Sequence, residues 1–333
     1  MKRFYIYFGF LILSNLHFLG CGDLVGPMDF HFNFFGPIPN QQDTSYICIM
    51  DVNGRNQDSL YYDGTGDPIF SPDGSKILFG ENRLTIMDID GSNVKDLLAD
   101  GHYHQFTPDG LHVIFVVNHE CICSVTIEGS DHKHLTEGIS GPGTGVRAMC
   151  PQVTPDGSKI VYGISKDSIY ICSMDVDGNN HKYITNGLTD GDFNVLMELS
   201  INLSPDGTLV LFVIRGVIYI MNIDGTQLEQ LTEGLNPQFS PDGSKIVFVT
   251  NNGGICIMNV DGTQLTQLSE GEDPNFSNDG LKIVFVSGRD GNLEIYMMDI
   301  DGSNQTNLTN CEVTDTDPRF SPDDSKIVYV RCN

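Results

Sequence analysis

The 333-residue sequence contains no tryptophan and few positive charges, since 18 Lys and Arg residues stand against 44 Asp and Glu residues. Nucleic-acid binding depends on clustered Lys and Arg side chains that displace counterions, so the formal net charge of −26 argues against a nucleic-acid partner. The same charge argues against electrostatic docking on anionic lipid headgroups. Part of the acidity is explained by solubility and by the acidic turns described below.

The nine cysteines include no CxxC pair, and no segment has the DxDxDG spacing of a calcium-binding loop. Cys311 and Cys332 could form a disulfide near the end of the chain, which an exported location would permit. Four other cysteines recur six residues before the glycine of a repeated turn and are expected to be small buried apolar side chains: Cys48, Cys123, Cys172 and Cys256.

The amino terminus carries a basic head and an interrupted apolar run from Phe4 to Leu19, which is too short for a good membrane span. The run ends in "FLGC", which resembles a bacterial lipobox, the signal in which a cysteine becomes the lipidated first residue of the mature protein. We therefore predict a signal peptide over residues 1–20, lipidation at Cys21 and a tether over residues 21–44. Cleavage without lipidation is the alternative, because the first residue of the motif is aromatic instead of aliphatic.

Two short turn motifs repeat along the rest of the chain. The first has the form Ser/Thr-Pro-Asp-Gly, with variants, and begins at Ser71, Thr107, Thr154, Ser204, Ser240, Ser277 and Ser321. The second is typified by "DIDG" and begins at Asp51, Asp88, Thr126, Asp175, Asn222, Asn259 and Asp299. Pro presets the first corner of a turn, Asp bonds to nearby amides and Gly accepts a positive φ, so both motifs indicate tight turns between strands.

The segments between these turns alternate apolar and polar residues with a period of two, which is typical of β-strands. Each repeat therefore contains four short strands, and repeats of about 40 residues with four strands pack around an axis as a β-propeller. The chain enters with the last two strands of a repeat and leaves with the first two. We predict an all-β fold over residues 45–333: a seven-bladed propeller of four-stranded antiparallel blades, its last blade closed by the N- and C-terminal strands.

The phrases "FSPDGSKIVFV", "VSGRDGNLEIYMMDIDG" and "IYIMNIDGTQLEQLTEG" resemble the TolB-type propeller repeat, and this resemblance covers roughly residues 45 to 333. It implies a non-catalytic binding module of the cell envelope, with envelope proteins as partners, among them a peptidoglycan-associated lipoprotein. The sequence departs from TolB in lacking the smaller α/β domain and in having seven blades instead of six. The same repeat occurs in prolyl-oligopeptidase-like propellers, but the GxSxG elbow of their hydrolase domain is missing here.

A propeller places both tight turns on one face and the remaining, more variable connections on the other, which we call the loop face. Arg147 and Arg289 lie in or beside these connections, and Arg matches carboxylates with its planar fork. We therefore expect the loop face to bind an anionic ligand or an acidic peptide. The alternative is that these arginines pair with nearby aspartates of the protein itself.

The first strand of each blade should line the central channel, because its residues alternate between the axis and the blade interior. The residues expected to face the axis and bind a peptide end, a sugar or a cation are Gln105, Gln152, Asn202, Gln238, Asn275 and Arg319. The residues expected at the channel mouth are Asp67, Tyr103, Asn236, Asp273 and Asp317. A channel filled only with water is the alternative.

His102 and His104 are weak candidates for metal ligands, because two histidines two residues apart share one side of an extended segment. A second pair at His132 and His134 should begin an outer strand near the opposite face, too far away to share the ion. We expect no cofactor, no metal and no catalytic residue, and a monomeric exported protein. The alternative function is a metal-dependent carbohydrate-active enzyme, such as the propeller-fold oligogalacturonate lyases, or a sugar- or peptide-binding protein.

Overall fold

The computed structural model describes residues 45–62, 66–80, 83–98, 101–118, 120–141, 145–188 and 199–332. Within these ranges the regular secondary structure is entirely β-strand, arranged in seven four-stranded antiparallel sheets. The predicted signal peptide, Cys21 and the tether lie outside the described residues. The described part contains no helix that could span a membrane.

Each sheet is one blade, and its strands follow one another in chain order except in the last blade. Blade 1 consists of β3 (Ile69–Phe70), β4 (Lys76–Phe79), β5 (Leu84–Asp88) and β6 (Lys95–Leu98). Blade 2 consists of β7 (His102–Phe106), β8 (His112–Val117), β9 (Cys121–Thr126) and β10 (Lys133–His134). Blade 3 consists of β11 (Arg147–Val153), β12 (Lys159–Ser165), β13 (Ile169–Asp175) and β14 (Lys182–Tyr183).

Blade 4 consists of β15 (Ser200–Leu203), β16 (Leu209–Ile214), β17 (Val217–Asn222) and β18 (Glu229–Glu233). Blade 5 consists of β19 (Leu235–Phe239), β20 (Lys245–Val249), β21 (Gly254–Asn259) and β22 (Thr266–Glu270). Blade 6 consists of β23 (Glu272–Phe276), β24 (Lys282–Ser287), β25 (Glu294–Asp299) and β26 (Thr306–Asn307). Blade 7 combines both ends of the described chain: β27 (Thr314–Phe320), β28 (Lys326–Cys332), β1 (Ser45–Asp51) and β2 (Asp58–Tyr62).

The closure of blade 7 confirms the predicted seven-bladed propeller. Strand β1 pairs with β28 from Ser45 opposite Cys332 to Asp51 opposite Lys326. An ion pair between Lys326 Nζ and Asp51 Oδ1, 3.0 Å apart, lies at one end of this register. Because the first and last strands satisfy each other's backbone groups, neither is left as an exposed sheet edge.

The core lies between neighbouring blades, in seven apolar layers that each contain one large aromatic side chain from the second strand of a blade. These seven aromatic residues are fully buried: Phe79, Phe115, Tyr162, Phe212, Phe248, Phe285 and Tyr329. The period of two explains the arrangement, because alternate residues of one strand fill the layers on its two faces. Tyr162 packs toward blade 2, whereas Val161 packs toward blade 4.

The Ser-Pro-Asp-Gly turns are held by their own side chains. Ser71 Oγ donates to Asp73 Oδ1 at 2.6 Å and accepts from the Lys76 amide at 2.9 Å, while the Ser75 amide donates to Asp73 at 3.0 Å. These hydrogen bonds favour the ionised carboxylate and lower the pKa of Asp73 to about 2. Gly74 takes a φ of +72°, which explains glycine at the fourth position.

The second turn of each blade lies beside the first. The Ile89 amide donates to Ser75 O at 3.0 Å, which joins the two turns of blade 1, and Lys76 Nζ contacts Asp88 Oδ1 at 2.7 Å across them. The same backbone link joins Val52 to Ser325 in blade 7. Both tight turns therefore share one face, as the sequence predicts.

The structure does not contain the predicted disulfide between Cys311 and Cys332. Cys311 Sγ lies 3.2 Å from Asp315 Oδ2 and 3.7 Å from an Arg331 nitrogen. Cys332 follows Arg331 directly on β28, so its side chain points to the other face of the sheet, where it packs in the layer between blades 7 and 1. The four cysteines predicted to be buried are buried.

Candidate functional site: the channel mouth

Six blades have a residue in the left-handed backbone region within the inner strand or just before it, with φ between 42° and 54°: Asp67, Tyr103, Cys150, Asn236, Asp273 and Asp317. In five of these six blades the register between the first and second strands shifts at this point. Such bulges twist a strand locally and redirect a side chain, and they occur often at the rims of barrels and near active sites.

Five of these six left-handed residues are the predicted mouth residues, and each stands two positions before a residue of the axis-facing ring. Cys150 is the sixth, and it is not among the mouth residues predicted from the sequence. Its signal is the proline that follows it, Pro151, since proline also follows Asp67, Asn236, Asp273 and Asp317. Cys150 is buried and its Sγ lies 2.8 Å from Leu199 O.

The predicted axis-facing carboxamides lie between the inner strands of neighbouring blades. Gln105 of blade 2 donates from Nε2 to Pro151 O of blade 3 and accepts at Oε1 from the Val153 amide at 3.0 Å. The amide of Phe239 in blade 5 points at Asn202 Oδ1 of blade 4 at 3.4 Å. These groups join the blades around the channel, so part of their hydrogen-bonding capacity serves the fold.

Similar hydrogen bonds join the inner strands of blades 5 to 7. Gln238 Nε2 donates to Asn275 Oδ1 at 2.8 Å, and Asn275 Nδ2 donates to Pro318 O at 3.2 Å. Gln152 occupies the corresponding position in blade 3, and Ile69 is the one aliphatic member of the ring. The structure therefore places four of the predicted carboxamides between neighbouring inner strands, while the ligand-binding role of the predicted residues stays a prediction.

Arg319 stands among three mouth carboxylates. Its guanidinium NH2 lies 3.9 Å from Asp67 Oδ1, and its NH1 donates to Pro318 O at 3.0 Å. Burial raises the pKa of Asp317 well above its usual value, the carboxylates of Asp273 and Asp67 raise it further, and Arg319 offsets only part of this effect. Three carboxyl groups therefore stand against one guanidinium at this mouth.

Arg319 also borders a cavity of about 310 Å³ beside the axis. Ile69, Phe106 and Phe320 contribute its apolar walls, and Asn278 contributes a polar group. Ser71, Pro72 and Pro322 also line this cavity, so it opens beside the first turns of the blades, on the face opposite the mouth.

The two other predicted arginines are not at this mouth. Arg289 NH1 donates to Gln305 Oε1 and NH2 donates to Ser269 Oγ, each at 2.6 Å, and its Cζ lies 4.6 Å from the Tyr296 ring centroid. These contacts fix the guanidinium beside the outer strands of blades 5 and 6, where it lines an open cleft. Arg147 is exposed at the first residue of β11.

The two histidines proposed as weak metal candidates have different surroundings. His104 is buried, and its Nε2 lies 2.9 Å from Asp67 O. Among the described residues, no group of His, Cys, Asp and Glu with metal-ligand spacing includes His102 or His104. The group that has this spacing lies at the outer strands of the same blade.

No family model and no curated protein sequence matches this chain. Among solved structures, a protein assigned as TolB from Agrobacterium tumefaciens is 20% identical with a TM-score of 0.54, covering 88% of this chain and 99% of that one. This chain has a TolB-like propeller fold. TolB from Acinetobacter baumannii is 20% identical with a TM-score of 0.51, and the match spans 80% of this chain and 63% of that one, less than two thirds of its length.

Oligogalacturonate lyases share the fold as well. One in complex with manganese is 14% identical with a TM-score of 0.59, covering 80% of this chain and 88% of that one. Another, from Vibrio parahaemolyticus, is 13% identical with a TM-score of 0.63, covering 86% and 90%. Identities this low establish the fold alone, so the choice between binding module and enzyme depends on the site.

Proposed function

We propose that this protein is a non-catalytic binding module of the bacterial cell envelope, and that it binds a partner protein at the channel mouth of its loop face. The TolB-like fold supports a propeller scaffold for protein binding. The observation that carries the proposal is the group of three carboxyl side chains around Arg319, namely the exposed Asp67 and the half-buried Asp273 and Asp317. Such crowded like charges are costly to the fold, and perturbed carboxylates concentrate at functional sites.

The chemistry of this mouth favours a partner segment with a cationic group, such as a lysine, an arginine or a free amino terminus. A positive charge near Asp317 would offset the repulsion from Asp273 and Asp67, which Arg319 offsets only in part. The acidic peptide predicted from the arginines has less support, because the Arg289 guanidinium is already hydrogen-bonded and stacked on Tyr296. The acidic peptide remains the competing outcome of the experiment below.

The location and the partner follow from the same proposal. A signal peptide over residues 1–20 would export the protein, and lipidation of Cys21 would hold the propeller near a membrane through the tether. The partners are then envelope proteins, and the TolB resemblance makes a peptidoglycan-associated lipoprotein the first candidate. A monomeric propeller suffices for this role, because closure pairs both terminal strands and leaves only the short outer edges of the blades.

The enzyme alternative would place a metal and a catalytic group at the same mouth, as the likeness to oligogalacturonate lyases suggests. His104, whose Nε2 lies 2.9 Å from Asp67 O, would be the first candidate ligand. Replacing His104 by Gln, which keeps a hydrogen-bond donor for Asp67 O, should abolish lyase activity on oligogalacturonate under this alternative and should leave partner binding intact under the proposal. Metal content alone does not separate the two, because Cys123, His132 and His134 form another group with metal-ligand spacing.

The test uses the full chain and two short peptides of equal length, one Gly/Lys and one Gly/Glu, with binding measured by calorimetry at low and moderate salt. The proposal expects the Lys peptide to bind and the double variant Asp273→Asn with Asp317→Asn to lose it by on the order of 10-fold or more. Asp261→Asn with Asp301→Asn, on the tight-turn face, is the matched control and should bind normally. Preferential binding of the Glu peptide, lost in Arg319→Ala, would support the acidic partner instead.

A second experiment identifies the partner. Cross-linking the full chain in an envelope extract, followed by mass spectrometry, should recover a protein whose linked segment carries a basic residue. The Asp273→Asn with Asp317→Asn variant should lose that cross-link, whereas the control variant should keep it. If both variants recover the same segment, the mouth is not the binding site and the proposal fails.

A further inference from the structure

The outer edge of blade 2 brings three metal-ligating side chains to one face of the sheet. Strand β10 pairs with β9 so that His134 lies opposite Cys123. Residues directly opposite each other point to the same face, and residues two apart on an extended segment also share a face. His132 precedes His134 by two residues, so a thiol and two imidazoles meet on the face that packs toward blade 1.

The distances agree with this register. Cys123 Sγ lies 3.2 Å from His134 Nδ1, and the ring centroids of His132 and His134 are 4.9 Å apart in an edge-to-face arrangement. One ligand atom from each of the three residues lies within 4.8 Å of the others. Zinc bonds of about 2.3 Å to sulfur and 2.0 Å to nitrogen need ligand atoms about 3–4 Å apart, which a small rotation of His132 would give.

Burial also suits metal entry. Cys123 is completely buried, whereas His132 and His134 are both exposed. An ion arriving from solvent would meet the two imidazoles first and the thiol behind them. Burial raises the pKa of the Cys123 thiol to about 12, so metal binding would have to displace its proton to solvent, as thiolate ligation requires.

Blade 3 provides an internal comparison. Cys172 and His181 occupy the positions of Cys123 and His132, but Tyr183 replaces His134. The Tyr162 hydroxyl hydrogen-bonds with His181 there, whereas blade 2 has Phe115 at that position, which has no hydroxyl.

Blade 7 has Ser59 opposite Cys48, with 3.5 Å between Oγ and Sγ. Of the blades as described, blade 2 alone combines the thiol with two imidazoles.

We propose that Cys123, His132 and His134 bind one zinc ion, with the fourth position taken by solvent. A thiolate with two imidazoles selects zinc over magnesium or calcium, which prefer oxygen ligands. The ion would join the two-residue strand β10 to β9 and fix the rim of blade 2. The site is distinct from the channel mouth, so it does not depend on the proposed function.

The experiment uses the full chain, purified without a histidine tag, reduced and stripped with a chelator. Calorimetric titration should give one equivalent of Zn²⁺, and Co²⁺ should give a thiolate charge-transfer band. Cys123→Ser and His134→Ala should each weaken zinc binding by on the order of 100-fold or more and abolish the band. The matched blade 3 variants, Cys172→Ser and His181→Ala, should leave both readouts unchanged.

Reconstruction in blade 3 supplies a test by gain. Tyr162→Phe with Tyr183→His should create a second site and raise the stoichiometry from one to two. His134 is exposed, so His134→Ala should fold even if Cys123→Ser does not, and circular dichroism checks each variant. Unchanged zinc affinity in folded His134→Ala, no thiolate band with Co²⁺ in the parent chain, or a folded reconstruction that stays at one equivalent would overturn the proposal. Each of these results would point to adventitious surface histidine binding.

Discussion

Asn278 and Asp324 form a hydrogen-bonded contact between the first turns of blades 6 and 7. The Asn278 amide and its Nδ2 lie 2.7 and 2.8 Å from Asp324 Oδ1, and the Asp279 amide lies 2.9 Å from Oδ2. At the other six blade junctions a turn proline faces the glycine of the next turn, as Pro322 faces Gly74. The turn without proline and the turn without its final glycine therefore meet at the same junction.

This pairing predicts strong coupling between the two substitutions that would restore the repeat. Asn278→Pro or Asp324→Gly alone should destabilise the fold by about 1–3 kcal/mol, because each leaves the partner's polar groups without their hydrogen bonds. The double variant should recover most of the loss, since it recreates the proline–glycine contact. Urea unfolding of the four proteins measures the coupling free energy.

A control at another junction gives the scale. Pro72 faces Gly110, which offers no side-chain acceptor. The Pro72→Asn variant should therefore be less stable than the parent, with no partner to compensate. If the two single effects at Asn278 and Asp324 simply add in the double variant, the contact between them contributes nothing and the interpretation is wrong.

Arg331 and Asp315 lead to a second prediction. Arg331 Nε and NH2 lie 2.8 and 2.9 Å from the two oxygens of the Asp315 carboxylate, whose side chain is fully buried. Arg331→Ala would leave a buried carboxylate without its partner in the blade that closes the ring, and should cost about 3–5 kcal/mol in urea unfolding. Arg83→Ala breaks a largely exposed pair with Asp96 and should cost about 0–1 kcal/mol. Equal losses in the two variants would contradict this account.

The sequence was sufficient for the fold because each blade repeats the same local information. Proline, aspartate and glycine fix the turns, and the period of two assigns side chains to faces, so the seven aromatic residues fall into seven layers. The ring of axis-facing residues follows from the same alternation. These predictions needed no knowledge of which strand lies next to which, because closure brings every repeat into the same surroundings.

Contacts between different repeats, and contacts that depend on the register of two strands, were harder to predict. The hydrogen bonds of Arg289 to Ser269 and Gln305 depend on how two blades pack, and the sequence gives no sign of them. The meeting of Cys123 with His134 depends on the register of β9 and β10. The disulfide prediction failed because Cys311 lies beside Arg331, whereas Cys332, the next residue on β28, points to the opposite face of the sheet. The alternation of the strand already implied this.

The turn aspartates predict how the fold responds to acid. Hydrogen bonds from serine or threonine hydroxyls and turn amides lower the pKa of Asp73, Asp156 and Asp323 from 3.8 to about 2. A carboxylate with a lowered folded pKa stabilises the protein above its unfolded pKa, and that contribution is lost as pH falls through the folded value. The free energy of unfolding should therefore drop between pH 4 and pH 2.

Asp156→Asn tests this directly. The variant should be less stable than the parent at neutral pH, and its stability should fall less on acidification, because one of the contributing groups has been removed. Glu229→Gln, at an exposed position on β18, is the control and should leave the acid profile unchanged. Parallel acid profiles for the parent and Asp156→Asn would exclude the turn aspartates as the cause.

Asp317 should behave with the opposite sign. Burial and the carboxylates of Asp273 and Asp67 raise its folded pKa, so folding favours its protonated form. Its favourable contribution is present below the unfolded pKa and is lost as pH rises through the folded value. Asp317→Asn should therefore stabilise the fold at neutral pH by on the order of 1 kcal/mol and have little effect below pH 4.

Asp261→Asn is the control: its parent carboxyl has a lowered pKa, so this variant should not stabilise the fold. If the mouth binds a cationic group, Asp317→Asn should gain stability and lose ligand together, the trade-off expected where binding keeps like charges crowded.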